Sequence, residues 1–135
     1  MYAYLDRPVR LLAEADLFLL SAMRGWVAAA RGGRCVCHAL AGGFRQRGVL
    51  TALEDFATAM ALVDRAGLSR LRLAPVIWPK VTDDEAHLLS LFALGRGRDD
   101  ARIAALAATL VEAEAVPRLL TAVDTVGAAL AEDPA

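Results

Sequence analysis

The chain has 135 residues, a length suited to one domain, and its 57% hydrophobic content comes largely from alanine and leucine, which favour helix over strand. Fifteen basic residues stand against sixteen acidic ones, and the net charge of −1 excludes a general polyanion binder, which would carry a basic surplus. Two cysteines are too few for a disulfide-built secreted scaffold, so a reducing cytosol is the expected setting.

The N-terminal stretch Met1-Tyr2-Ala3-Tyr4-Leu5-Asp6 lacks the basic start of a secretory signal. Asp6 as a cap and Pro8 in the tolerated first turn predict a first helix over 8–30, closed by Gly32-Gly33. The apolar run at 17–23 is interrupted by Arg10, Glu14, Asp16 and Arg24, which leaves no uncharged stretch near the ~18 residues a membrane span needs. A short second helix is expected over 34–45, with a joint at Gly48. The third covers 49–66 and stops at Gly67, a natural left-handed position after a helix. In it Val49, Leu53, Phe56, Ala57 and Met60 share one face, and Glu54, Asp55, Thr58 and Arg65 the other.

In 68–74, Leu71 and Leu73 alternate with Arg70 and Arg72, a strand period, yet one short strand needs a partner. Either a symmetry mate in a dimer supplies it or the segment lies extended over the helices. The one long break in the helical pattern follows. Pro75 and Pro79 each remove a backbone donor and push the preceding residue out of the helical region, and they bracket Val76, Ile77 and Trp78. Thr82 and Glu85 then form a capping box that launches a fourth helix over 83–94. Its Leu88, Leu89 and Phe92 face inward, with Asp83, His87 and Ser90 at the flank or outside, and Gly95-Arg96-Gly97 breaks it. Asp99 or Asp100 caps a fifth helix reaching Val116. Pro117 begins a sixth through 131, with Leu119, Val123, Val126 and Leu130 on one stripe. The expected fold class is all-α: a single-domain bundle of five or six helices with antiparallel neighbours and one extended Pro-Trp-Pro segment.

Cys35, Cys37, His38 and His87 add up to a zinc ligand set, but Cys-x-Cys-His lacks the usual gap and only one histidine lies elsewhere. No metal site is assigned and no cofactor is implied. Asp16, Asp64 and Glu114 fall on the apolar sides of the first, third and fifth helices. A buried carboxylate must be paired, hydrogen-bonded or protonated, so each is either a ligand-binding group or the partner of an arginine. Arg31, Arg34, Arg45 and Arg47 gather around the second helix as in a helix-turn-helix, but the outward Glu54, Asp55 and Thr58 suit DNA poorly. Phosphate-binding glycine loop, nucleophile elbow and dinucleotide fingerprint are all absent. Trp78 is either a roof over the bundle or an aromatic anchor at an interface.

The segments His38-Ala39-Leu40 through Phe44-Arg45, and Ala74-Pro75 through Pro79 to Thr82-x-Asp84-Glu85-Ala86-x-Leu88-Leu89, resemble a family of small, alanine- and arginine-rich bacterial helical proteins. The resemblance implies a helical fold and confers no activity. Such relatives often place cysteines between the prolines, where this chain has Val76-Ile77-Trp78, so a metal or redox role at that place would have been lost here. A mean hydropathy of +0.42 is high for so small a chain and reflects either its alanine content or apolar surface that meets a second subunit.

Together these features point to a cytoplasmic, non-enzymatic helical protein that self-associates as a homodimer, with Val76, Ile77, Trp78, Leu71 and Leu73 as interface candidates. Two alternatives stay open. One is a small-molecule or metal-binding protein using Asp16, Asp64 or Glu114 with His38 or His87. The other is a helix-turn-helix DNA-binding regulator. Neither nucleic acid nor membrane is the expected partner.

Overall fold

The computed structural model describes residues 4–68, 71–97 and 99–131. Among them six α-helices form an all-helical bundle: α1 (Glu14–Arg31), α2 (Val36–Arg47), α3 (Leu53–Arg65), α4 (Asp83–Gly97), α5 (Asp100–Leu110) and α6 (Val116–Ala131). Short 3₁₀ turns at Val9–Leu11, Leu50–Ala52 and Ala113–Ala115 precede α1, α3 and α6. No strand forms among the described residues, where extended pairing is confined to isolated antiparallel bridges joining Pro8 to Lys80 and Gly67 to Val111.

Local chemistry explains the boundaries, including those that differ from expectation. The first helix starts at Glu14 rather than near Pro8, because the preceding chain is occupied elsewhere. Asp6 donates to the Val81 carbonyl at 3.1 Å, Val9 to the Pro79 carbonyl at 2.8 Å, and Val81 returns a bond to the Arg7 carbonyl at 3.0 Å. Asp6 itself sits at φ 56° and caps nothing. At the far end of α1, Gly33 at φ 69° lets Arg34 bond back to the Ala29 carbonyl at 2.9 Å. Gly48, at φ 80°, does the same for α2, where Val49 reaches the Phe44 carbonyl at 2.9 Å. Both are glycine-dependent Schellman closures.

Gly67 is not the left-handed stop of α3. The chain leaves at Ala66 and runs antiparallel to the end of α5, with Leu68 donating to Leu110 at 2.9 Å and Glu112 to Ala66 at 2.8 Å. That pairing draws Val111 into an extended conformation, so α5 ends at Leu110 and not at Val116. Asp99 caps α5, accepting from the Arg102 amide at 3.3 Å.

The fourth helix also corrects the expectation, continuing through Gly95 instead of breaking there. Leu88, Leu89, Ser90, Leu91 and Phe92 are buried in succession, so α4 is enclosed on nearly all sides and Ser90 is not at the flank. It packs on α1, α5 and α6. Gly95 and Gly127 set the α4–α6 distance: a Cβ on Gly127 would sit 2.5 Å from the Gly95 carbonyl carbon. Across the core, Phe18, Phe44, Phe56 and Phe92 form a line of rings with successive centroids 5.0, 5.3 and 5.7 Å apart. No described helix is long and apolar enough to cross a membrane.

Two glycine substitutions should behave in opposite ways on chemical denaturation. Gly127→Ala overpacks the α4–α6 crossing and should destabilise by about 2 kcal/mol. Gly42→Ala, in α2 with open space around its Cβ position, should stabilise by roughly 0.5–1 kcal/mol.

Candidate functional site

The loop between the two prolines is organised by one side chain from another helix. Arg24 lies in the middle of α1, between Leu20 and Val27 on the buried face, and its side chain is 1% exposed. Its Nε donates to Glu85 Oε2 at 2.8 Å and its Nη2 to Glu85 Oε1 at 2.9 Å, a bidentate pair. The remaining donors go to loop carbonyls. Nη1 reaches Trp78 at 2.7 Å and, at a longer 3.4 Å, Val76, while Nη2 reaches Lys80 at 2.9 Å. All five guanidinium N–H groups are therefore used.

Glu85 is equally saturated. Besides Arg24, Oε1 accepts from the Thr82 amide at 2.9 Å and Oε2 from the Ala74 amide at 3.0 Å. Burial alone would push its carboxyl up, but the bonds from Arg24, Thr82 and Ala74, with the guanidinium charge, hold it below its ordinary value. Half of the expected capping box is thus present. Glu85 reaches back to Thr82, whereas Thr82 Oγ1 is buried without a hydrogen-bond partner among the described residues.

The same carboxylate row solves the problem of the lone extended segment. Asp84 Oδ2 accepts from the Arg72 amide at 2.7 Å, and Glu85 accepts from Ala74, so side chains at the start of α4 replace a neighbouring strand. Leu71 and Leu73, which alternate with Arg72 and Ala74, turn into the core at 8% exposure each. They are interior residues of this chain, which corrects their placement at an interface. Arg70, the other half of the alternation, lies outside the described residues.

Val76, Ile77 and Trp78 point the other way, at 59%, 91% and 51% exposure. The Trp78 amide bonds the Pro75 carbonyl at 2.9 Å, which closes the turn. With half its surface exposed, Trp78 does not roof the core.

The acids separate sharply. Asp16 is buried and paired, accepting from Arg96 Nη2 at 2.8 Å and from the Tyr4 hydroxyl at 3.3 Å. Burial and the nearby Asp16 charge raise the Tyr4 hydroxyl above its ordinary pKa. Asp64 and Glu114 are exposed, contrary to expectation. Asp64 stands in the last turn of α3, beyond the buried stripe, and Glu114 belongs to a 3₁₀ turn for which the α5 wheel does not hold.

Cys35 and His38 are exposed and Cys37 is half-buried on α2; His87, on α4, donates from Nδ1 to the Asp83 carbonyl at 2.8 Å. Among the described residues no group of three or more His, Cys, Asp or Glu side chains is placed to hold a metal ion. Within the arginine cluster, Arg47 is committed to its own chain, 5.5 Å from the Phe18 ring centroid and 3.7 Å from Glu14. Arg24 is the residue that sequence reasoning missed. It occupies the buried face of α1 just as Asp16 does, and the same test of a charge among apolar neighbours identifies it.

Comparison with known proteins finds no matching family model, no matching curated protein and no matching solved structure.

Arg24→Met would leave Glu85 buried without its counter-charge and should cost about 3–5 kcal/mol in denaturant unfolding. The pH dependence has a defined sign. A carboxyl held low in the folded state contributes fully above its unfolded pKa of roughly 4.3, and that contribution is lost as pH falls through the lower folded value. Acid unfolding of the wild type, followed by circular dichroism, should therefore steepen below about pH 4, and Glu85→Gln should flatten that limb.

Proposed function

We propose that the chain is a cytoplasmic, non-catalytic interaction protein that pairs with a second copy of itself through the Val76-Ile77-Trp78 turn. The observation that carries this reading is exposure combined with restraint: Ile77 is 91% and Trp78 51% exposed, on a backbone whose carbonyls are bonded to the buried Arg24. A large apolar side chain on a fixed backbone loses little freedom on docking, the condition under which aromatic anchors contribute most.

The surroundings favour a like partner. Leu11, 53% exposed, is a further exposed apolar side chain, on the N-terminal segment whose Val9 amide bonds the Pro79 carbonyl. Lys80 and Asp83 follow the turn, and both are exposed. Two-fold pairing sets a patch against its own copy, so a rim of mixed sign is self-complementary. A net charge of −1 opposes such pairing very little.

Size-exclusion chromatography with light scattering at about 100 μM should give twice the 14.3 kDa chain mass. Trp78→Ala should weaken association by about 2 kcal/mol, roughly thirty-fold, with the helical circular dichroism unchanged. A monomer persisting to about 1 mM would sink the proposal.

A further inference from the structure

The segment 4–12 lies against the bundle as a strap. Three backbone bonds join it to the loop before α4: the Asp6 amide to the Val81 carbonyl at 3.1 Å, the Val81 amide to the Arg7 carbonyl at 3.0 Å, and the Val9 amide to the Pro79 carbonyl at 2.8 Å. At its outer end the Tyr4 hydroxyl donates to Asp16 at 3.3 Å. Burial adds little. From Tyr4 to Leu11 every residue is half-buried or exposed, and Leu12 is the first to enter the core. Asp6 is held at φ 56°, a conformation that an L-residue adopts at a cost. Leu12 and Ala13, both extended, separate the strap from α1. Sparse apolar burial and surface-lying bonds mark a unit that opens well below the global unfolding free energy.

The loop it grips has a second, firmer anchor. Arg24 holds the carbonyls of Val76, Trp78 and Lys80, and the Ala74 amide bonds the buried Glu85. We propose that residues 4–12 open and close as one unit hinged at Leu12 and Ala13, and that closure stiffens the Trp78 turn for self-association. With the strap open, the Pro79 carbonyl and the Val81 amide lose their partners, and the turn must regain order as it docks. Linkage is reciprocal, so pairing of two copies holds the strap closed by the same factor. The coupling rests on self-association through the Trp78 turn, whereas the opening does not.

Native-state amide hydrogen exchange, read by mass spectrometry with residue-level fragmentation, tests both parts. The Asp6, Val9 and Val81 amides should be at least about tenfold less protected than the Ala74 amide of the same loop. Val9→Pro removes one strap donor at the first residue of a 3₁₀ turn, after a Pro8 already extended at ψ 130°. It should lower protection at Asp6 and Val81 about tenfold and spare Ala74; Tyr4→Phe should act in the same direction. Val81 protected as strongly as Ala74, or unchanged in both variants, would overturn the strap. On dilution through the dimer–monomer transition located by light scattering, protection of the three strap amides should fall about tenfold. No fall would overturn the coupling. A wild type that is monomeric throughout removes the self-association reading and the coupling together, while the exchange pattern still decides the opening.

Discussion

A guanidinium placed in a protein interior needs five acceptors and a counter-charge, and Arg24 obtains both from a single stretch of chain. Glu85 supplies the charge and two of the bonds, and the carbonyls of Val76, Trp78 and Lys80 supply the rest. The arrangement joins the middle of α1 to the start of α4 and to the loop between them in sequence. Through Pro79 and Val81 it also fixes the chain that precedes α1. Such a pair adds little net stability over a well-packed apolar substitute, but it admits few alternative packings, since any displacement strands a charge. The loop owes its shape to this requirement and not to a core of its own.

The rest of the bundle follows more ordinary rules. Helix α4 is enclosed by α1, α5 and α6, and the Gly95–Gly127 crossing brings two helix backbones nearly into contact. The four phenylalanine rings run from Phe18 on α1 to Phe92 on α4, by way of Phe44 and Phe56, so aromatic contact ties α1, α2 and α3 to the central α4. Most polar side chains stay outside. The buried charged residues Asp16, Arg24 and Glu85 are all paired, as a low-dielectric interior demands of a charge.

What could be read from the sequence was local. The Thr82–Glu85 start of α4, the joint at Gly48 and an aspartate cap on α5 depend on residues within a few positions. The structure contains all three, the capping box by half, with α2 ending two residues later than expected and the cap at Asp99. The alternation of Leu71 and Leu73 was legible as an extended segment with one buried side. Its hydrogen-bond partners were not, because carboxylate side chains from α4 do the work of a strand. Arg24 and Glu85 lie 61 residues apart, and no pattern within either helix announces the other. Asp64 and Glu114 show the reverse failure. A helical wheel assigns a side but not a depth: near a helix end, as at Asp64, the apolar side runs out into solvent, and past the end of α5, at Glu114, the wheel no longer applies. Gly67 and the early end of α5 share one cause, a backbone pairing between segments distant in sequence.

The carbonyls that Arg24 holds belong to residues 76, 78 and 80, every second one, while the intervening Pro79 carbonyl faces Val9 on the opposite side. The loop is therefore keyed by register. Exchanging Val76 or Ile77 for another residue leaves the alternation intact, since their side chains project into solvent. Deleting or inserting one residue reverses it, turning carbonyls meant for the guanidinium outward and breaking the tie to the N-terminal segment together with the ion pair's surroundings. A segment that looks permissive because it is exposed thus keeps its backbone through exchange of those two side chains and loses it through a change of length.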